Sequence, residues 1–261
     1  MLPFERHKIL TDIVRENKTL SIKDLADKTN IPITTLRRDI NTLSEQGKLL
    51  KLRGAVSVPE QKQQENISEQ YTDRKKLYHE EKHAIAKTAQ NYINSGDIII
   101  LSYGTTVSLV AKYIDIDKEV TVITNGLDIV EALKNKHKVK VILLGGIVDY
   151  SNNTVTGPTV PKMLDEFNPS KIIIGAGGIT EEKGITNYDF LSSAYYSELI
   201  KGVDKIIVVA DHSKFGRNVL TSVIHLNEID TIITDNDVDK KYHNIFDKYG
   251  IDLVLAPLDS N

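Results

Sequence analysis

Apolar residues recur at helical spacing through the first 45 or so positions and then give way to short continuous runs, so the chain changes character along its length. Ile9, Leu10, Ile13 and Val14 predict a first helix that opens near Pro3, a residue suited to a first helical turn, and ends near Asn17. Ser21 with Asp24 three residues later resembles a capping box, and Ile22, Leu25 and Ala26 form the apolar face of a short second helix ending near Thr29. Asn30, Ile31 and Pro32 predict a turn, because proline disfavours helical geometry at Ile31 and itself suits a helix start. A third helix lies within Ile31–Gly47. Leu36, Ile40 and Leu43 fall on one of its faces and Thr34, Arg37, Arg38 and Asn41 around the other. After Gly47 the segment KLLKLRGAVSV is β-prone with a break at Gly54, and it predicts a two-stranded wing carrying Lys48, Lys51 and Arg53.

Residues 59–72, PEQKQQENISEQYT, are polar and Gln-rich and predict a linker between a head at 1–58 and a body at 73–261. In the body, strand-like runs at 97–101, 120–124, 139–144, 171–174, 205–210, 231–234 and 253–256 alternate with helical segments such as 107–113, 127–135, 191–201 and 239–248. Continuous Ile/Val runs separated by helices predict a largely parallel α/β sheet covered on both faces. Ligands of such sheets bind at the carboxyl ends of the strands. The residues found there are Ser102-Tyr103-Gly104-Thr105-Thr106, Asn125-Gly126, Gly145-Gly146, Gly175-Ala176-Gly177-Gly178 and Asp211-His212-Ser213-Lys214. Small and hydroxyl residues ahead of a helix expose backbone N–H groups to an anion, and Lys214 adds a full positive charge. The sum is a candidate phosphate pocket with polar groups for a sugar.

Charge sharpens this division. The net charge of −3 hides a head with 11 Lys and Arg against 7 Asp and Glu and a remainder with 22 against 29. A basic head on an acidic body suits nucleic-acid contact confined to the N-terminus. On the third helix, Arg37 and Arg38 suit guanine edges or phosphates, Asn41 can pair with adenine, and Thr34 can meet phosphate or a thymine methyl. Lys51 and Arg53 suit phosphate contacts that position a protein without reading sequence. The chain has no cysteine, which excludes disulfides, thiolate metal sites and Cys nucleophiles. No apolar run reaches signal-peptide or membrane-span length, which leads to the expectation of a cytoplasmic protein without membrane contact.

From Arg6 to Val56 the head resembles the N-terminal domain of DeoR-family transcriptional regulators, most specifically in Thr35-Leu36-Arg37-Arg38-Asp39-Ile40, Leu43 and Gly47. The body resembles the family's sensor domain through Arg74, Lys82 with Ile85-Ala86, Gly104-Thr105-Thr106, Thr124-Asn125, Gly145-Gly146, Gly157, Gly178-Ile179, Gly184, Thr186, Asp211-His212-Ser213-Lys214-Phe215 and Ile233-Thr234-Asp235. The resemblance implies a winged helix-turn-helix joined to a larger α/β domain similar in fold to ribose-5-phosphate isomerase. It implies an operator DNA partner met by Thr34, Thr35, Arg37, Arg38, Asn41, Lys51 and Arg53, and a homo-oligomeric repressor of carbohydrate genes. It also implies a phosphorylated sugar effector, its phosphate cradled by Gly104, Thr105 and Thr106, with Ser102, Asn125, Asp211 and Lys214 in the same cleft. Pro32 replaces the usual serine N-cap, and the wing carries one glycine where two are usual. Ser102 replaces an aspartate, and Ser192 and Tyr196 replace a glutamate and a lysine.

Two other classes fit parts of the pattern. A sugar-phosphate isomerase with a fused DNA-binding head needs a positioned general base, which Ser102 does not supply, although Asp211 and Lys214 remain. A dinucleotide-binding redox sensor needs a glycine fingerprint that Gly175-Ala176-Gly177-Gly178-Ile179-Thr180 breaks at Thr180. The expectation is a regulator with no catalytic residues and no cofactor. His79 and His83 are four apart, but no third ligand is in reach by sequence, so no metal site is expected.

Overall fold

The computed structural model describes residues 3–17, 19–29, 31–45, 49–52, 55–57, 71–188, 196 and 199–258. The chain divides into two compact units, Met1–Asn66 and Ile67–Asn261.

In the first unit, α1 (Pro3–Asn17), β1 (Thr19–Ser21), α2 (Ile22–Thr29) and α3 (Ile33–Glu45) are followed by β2 (Leu50–Leu52) and β3 (Ala55–Ser57). The expected wing is β2 and β3. Sequence periodicity missed β1, a three-residue strand that pairs antiparallel with β3, Leu20 opposite Val56. Its shortness explains the miss: three residues show no alternation. Ser21 caps α2 by accepting from the Asp24 N–H at 3.0 Å, while its own hydroxyl donates to the Asp24 carboxylate at 2.7 Å. Pro32 opens α3 through its carbonyl, which accepts the Leu36 N–H at 3.0 Å. Leu10, Val14, Leu25, Leu36, Ile40, Leu43 and Val56 are fully buried and form the core of this unit. Gly47 at the end of the third-helix stretch and Lys48, Arg53 and Gly54 of the expected wing lie outside the described residues, as does the expected linker up to residue 70. Its last two residues, Tyr71 and Thr72, instead begin α4 (Tyr71–Lys76).

Among the described residues, the second unit is built on seven parallel strands: β4 (Ile98–Leu101), β5 (Val120–Thr124), β6 (Val139–Leu143), β9 (Lys171–Gly175), β12 (Lys205–Val209), β14 (Thr231–Asp235) and β15 (Asp252–Ala256). Each coincides with an expected run to within a residue or so at either end. Their spatial order is β15-β14-β12-β9-β4-β5-β6, so the direction of winding reverses between β9 and β4. Alternate side chains enter two cores. Ile100, Ile172, Ile174, Val208 and Ile232 lie in one, and Ile99, Leu101, Ile173, Ile207, Val209 and Ile233 in the other. Helices α5 (His79–Ala89), α6 (Thr105–Tyr113), α7 (Leu127–Leu133), α8 (Thr159–Leu164) and α9 (Lys241–Tyr249) connect or flank the strands. Of the expected 191–201 helix, residues 191–195, 197 and 198 lie outside the described residues, whereas Tyr196 and Leu199 are helical and buried.

Sequence patterning also missed short antiparallel pieces: a ribbon of β7 (Ile147–Asp149) and β8 (Thr154–Thr156), and a small sheet of β10 (Gly178–Thr180), β11 (Gly184–Asn187) and β13 (Thr221–Ile224). Gly178 is required there, because a Cβ would stand 2.2 Å from the Arg217 carbonyl oxygen.

Candidate functional site

In the first unit, α3 buries Leu36, Ile40 and Leu43 and turns Thr34, Arg37, Arg38 and Asn41 to solvent, with Thr35 half-buried beside them. Asp39 is the exception on this helix, a carboxylate only 5 % exposed. Its Oδ2 accepts from Arg6 Nε at 2.7 Å and its Oδ1 from Arg6 Nη2 at 3.1 Å, and His7 Nε2 lies 3.1 Å from Oδ1. The Arg6 guanidinium holds the Asp39 carboxyl below the usual carboxylate range. This fork ties α1 to α3 and fixes the rotation at which Arg37 and Arg38 face outward. Lys51 on β2 is exposed and donates to Asn41 Oδ1 at 2.8 Å, so the wing orients the helix side chain best suited to adenine. Arg53 lies outside the described residues.

In the second unit a cleft lies over the carboxyl ends of β4 and β9, where the winding reverses. Of the residues named from the sequence, Gly104, Thr105, Thr106, Asp211 and Lys214 line it. Gly104 has φ +144°, a geometry that favours glycine, and precedes α6, whose first N–H groups have no acceptor within the helix. Asp211 divides its carboxylate between two tasks. Oδ1 caps the short turn His212–Lys214 by accepting from the Ser213 N–H at 3.1 Å and from the Ser213 hydroxyl. Oδ2 is buried without a hydrogen bond, 3.9 Å from Lys82 Nζ.

Ser102 and Asn125 do not line the cleft. Asn125 Nδ2 donates to Thr154 Oγ1 at 2.9 Å and to the Val155 carbonyl at 3.1 Å, so its amide is committed to holding the β7–β8 ribbon. Ser102 is fully buried behind the cleft wall, and its Oγ accepts from the Tyr196 hydroxyl at 3.3 Å. Ser102 and Tyr196, both singled out in the sequence, therefore touch each other through a neutral hydrogen bond. Burial holds the Tyr196 phenol protonated, its pKa well above the ordinary value.

Tyr103, Gly175, Ala176 and Gly177 also line the cleft from the strand ends, and they are joined by Arg74, Lys82, Asn187, Tyr188 and Tyr196, which the strand-end reading did not place there. Lys82 is 3 % exposed and donates from Nζ to the carbonyls of Arg74 at 2.5 Å and Leu77 at 2.7 Å. Arg74 donates from Nη2 to Asn152 at 2.7 Å and lies 5.4 Å from the Tyr188 ring centroid. Asn187 Nδ2 donates to the Tyr103 hydroxyl at 3.1 Å. The signal for two of these was present in the resemblance, which had already singled out Arg74 and Lys82. Among the described residues, they and Lys214 set three cations against the single carboxylate of Asp211, and a cleft so charged attracts an anion.

A small unit presenting Arg37 and Arg38 on an outward helix face, joined to a doubly wound α/β unit with a cationic cleft at its switch point, defines a DNA-binding transcriptional regulator. Residues 6–62 match the DeoR-like helix-turn-helix domain and residues 78–236 the DeoR C terminal sensor domain; the chain belongs to the DeoR family. It is 29 % identical over 98 % of its length to the HTH-type transcriptional repressor GlcR of Bacillus subtilis (strain 168), covering 97 % of that protein. It is 26 % identical over 88 % of its length to the glycerol-3-phosphate regulon repressor of Escherichia coli (strain K12), covering 90 % of it. Among solved structures, ribose 5-phosphate isomerase A of Methanocaldococcus jannaschii aligns at 16 % identity and a TM-score of 0.38, over 51 % of this chain and 53 % of that one. Among the described residues no helix is long and apolar enough to cross a membrane.

Proposed function

We propose that the protein is a repressor of carbohydrate genes whose hold on operator DNA is changed by a phosphorylated sugar metabolite bound in the cleft. The observation that supports this most is the grouping of Arg74, Lys82 and Lys214 around the Gly104-Thr105-Thr106 helix start, at the switch point of the sheet. Phosphate would meet the helix N-terminus and Lys214, while the buried Lys82–Asp211 pair would hold the floor of the site. Thr34, Thr35, Arg37, Arg38 and Asn41, with Lys51 from the wing, would contact the operator. The relatives are named as repressors, one of them of a glycerol-3-phosphate regulon, which agrees with a phosphorylated polyol or sugar as the signal. The proposal extends to a homo-oligomer acting in the cytoplasm, a reading with which the kinship to bacterial regulators is consistent.

Isomerisation is disfavoured by the site itself. Ser102 and Tyr196 make a buried neutral hydrogen bond, and the carboxylate that remains, Asp211, spends one oxygen on Ser213 and faces Lys82 with the other. Among the described residues no general base is thereby positioned for an enediolate. The test is a thermal-shift screen of the full chain against phosphorylated sugars and polyols and their dephosphorylated counterparts. A binder at 100 times its Kd stabilises the folded state by about 2.7 kcal/mol. The expected result is stabilisation by a phosphorylated compound alone, weakened in Lys214→Ala; stabilisation by none of them refutes the proposal.

A further inference from the structure

His79 and His83 begin α5 four residues apart and lie on the same face of the helix. Their Nε2 atoms are 3.1 Å apart and their ring centroids 4.3 Å apart. Two imidazole nitrogens at the usual zinc distance of about 2.05 Å from one ion, and 3.1 Å from each other, subtend about 98° at that ion. That angle lies between the cis angle of an octahedral site and the tetrahedral angle. His83 is also held from behind: its Nδ1 is 2.6 Å from the Tyr113 hydroxyl, and the rings meet edge to face. A ligating imidazole needs this kind of partner, because a proton on Nδ1 leaves the Nε2 lone pair for the metal.

We propose that His79 and His83 form a bidentate site for a divalent transition ion of borderline softness, such as Ni²⁺ or Zn²⁺, with Tyr113 as the residue that positions His83. The pair opens into a groove bordered by Glu80, Lys87 and Leu258, so solvent can fill the remaining coordination positions. Lys87 borders the groove and Lys112 directly precedes Tyr113, so two ammonium charges lie near the pair. The same lysine charges oppose a cation, and among the described residues no third His, Asp or Glu joins the pair. Binding is accordingly modest and exchangeable, of regulatory rather than structural type.

The other grouping of potential ligands, His212 with Asp235 and Asp237, is less suited. There Asp235 already accepts from the His212 ring at 2.9 Å, from the His212 N–H at 2.8 Å and from the Asp237 N–H at 3.0 Å.

The test is calorimetric titration of Ni²⁺ into tag-free full-length protein at neutral pH, with His79→Ala, His83→Ala, Tyr113→Phe and His212→Asn alongside. One ion per chain is expected. His79→Ala, an exposed change that the fold tolerates, should abolish the binding, as should His83→Ala. Tyr113→Phe should weaken it about tenfold, and His212→Asn should leave it unchanged. Binding that survives His79→Ala, binding lost in His212→Asn, or no binding by the unaltered protein overturns the assignment.

Discussion

Lys82→Met isolates the electrostatic core of the cleft. The ammonium is 3 % exposed, donates to two backbone carbonyls at 2.5 and 2.7 Å, and lies 3.9 Å from the buried Oδ2 of Asp211. Methionine fills the same space but removes the charge, leaving the Arg74 and Leu77 carbonyls without their donor and Asp211 facing a thioether. Breaking a buried pair by removing one partner costs about 3–5 kcal/mol. The 3.9 Å separation is long for an ion pair, which puts the expected loss near the lower end, at about 3 kcal/mol. For a unit of this size, about 2–4 °C of melting temperature corresponds to each kcal/mol, so the body's transition should fall by about 6–12 °C. Differential scanning calorimetry of the full chain measures it. Asp211→Asn in the Lys82→Met background should recover part of the loss, because the uncompensated charge is then gone, giving a coupling of about 1 kcal/mol or more. A shift under about 2 °C for Lys82→Met, or strictly additive effects in the double variant, refutes the role given to this pair.

Asp39→Asn should destabilise the head by about 1–2 kcal/mol at neutral pH, since the Arg6 fork loses its charged acceptor. Because the folded-state pKa of Asp39 is depressed, this stability is present above the unfolded value of about 3.9 and disappears as pH falls through the folded one; acid unfolding curves of the two proteins should therefore converge. Asp128 behaves in the opposite sense. Burial pushes its carboxyl up to about 6, although the Tyr71 hydroxyl donates to it. Ionised Asp128 thus destabilises the fold above pH 6, and Asp128→Asn should be the more stable protein at pH 7 by about 1–3 kcal/mol, a gain that shrinks towards pH 4 in urea titrations. Gly104→Ala has room for its methyl, with Val107 3.8 Å away, yet is strained at φ +144°; a loss of about 1–3 kcal/mol is expected by denaturation, with sugar-phosphate stabilisation reduced. Arg37→Ala and Arg38→Ala should each weaken operator binding and lower the salt slope by about one, as read by anisotropy at several salt concentrations.

Much of this architecture is legible in the chain. The seven parallel strands show as Ile/Val runs because both faces of each are buried, and α3 shows as a two-faced helix because Leu36, Ile40 and Leu43 keep helical spacing. The missed strands β1, β7, β8, β10, β11 and β13 are three or four residues long, too short to show alternation, and β1 and β13 pair with strands far along the chain. The cleft follows the same division. Gly104, Thr105, Thr106, Asp211 and Lys214 follow strands directly and are found by looking after strand ends. Arg74, Lys82, Asn187 and Tyr196 reach it from α4, α5, β11 and a segment beyond, and only the folded sheet brings them there. Asn125 follows a strand too, yet the ribbon claims its amide, a contact with Thr154 and Val155 some 30 residues on.

The claim that a phosphorylated metabolite in the cleft governs DNA binding is tested most directly by measuring operator affinity of the full chain with and without a sugar phosphate that stabilises it, alongside Lys214→Ala. Coupling of about 1–3 kcal/mol corresponds to about a 5- to 150-fold change in affinity. The expected result is a change in that range for the unaltered protein and little or none for Lys214→Ala at the same ligand concentration. Equal operator affinity with the cleft empty and saturated contradicts it.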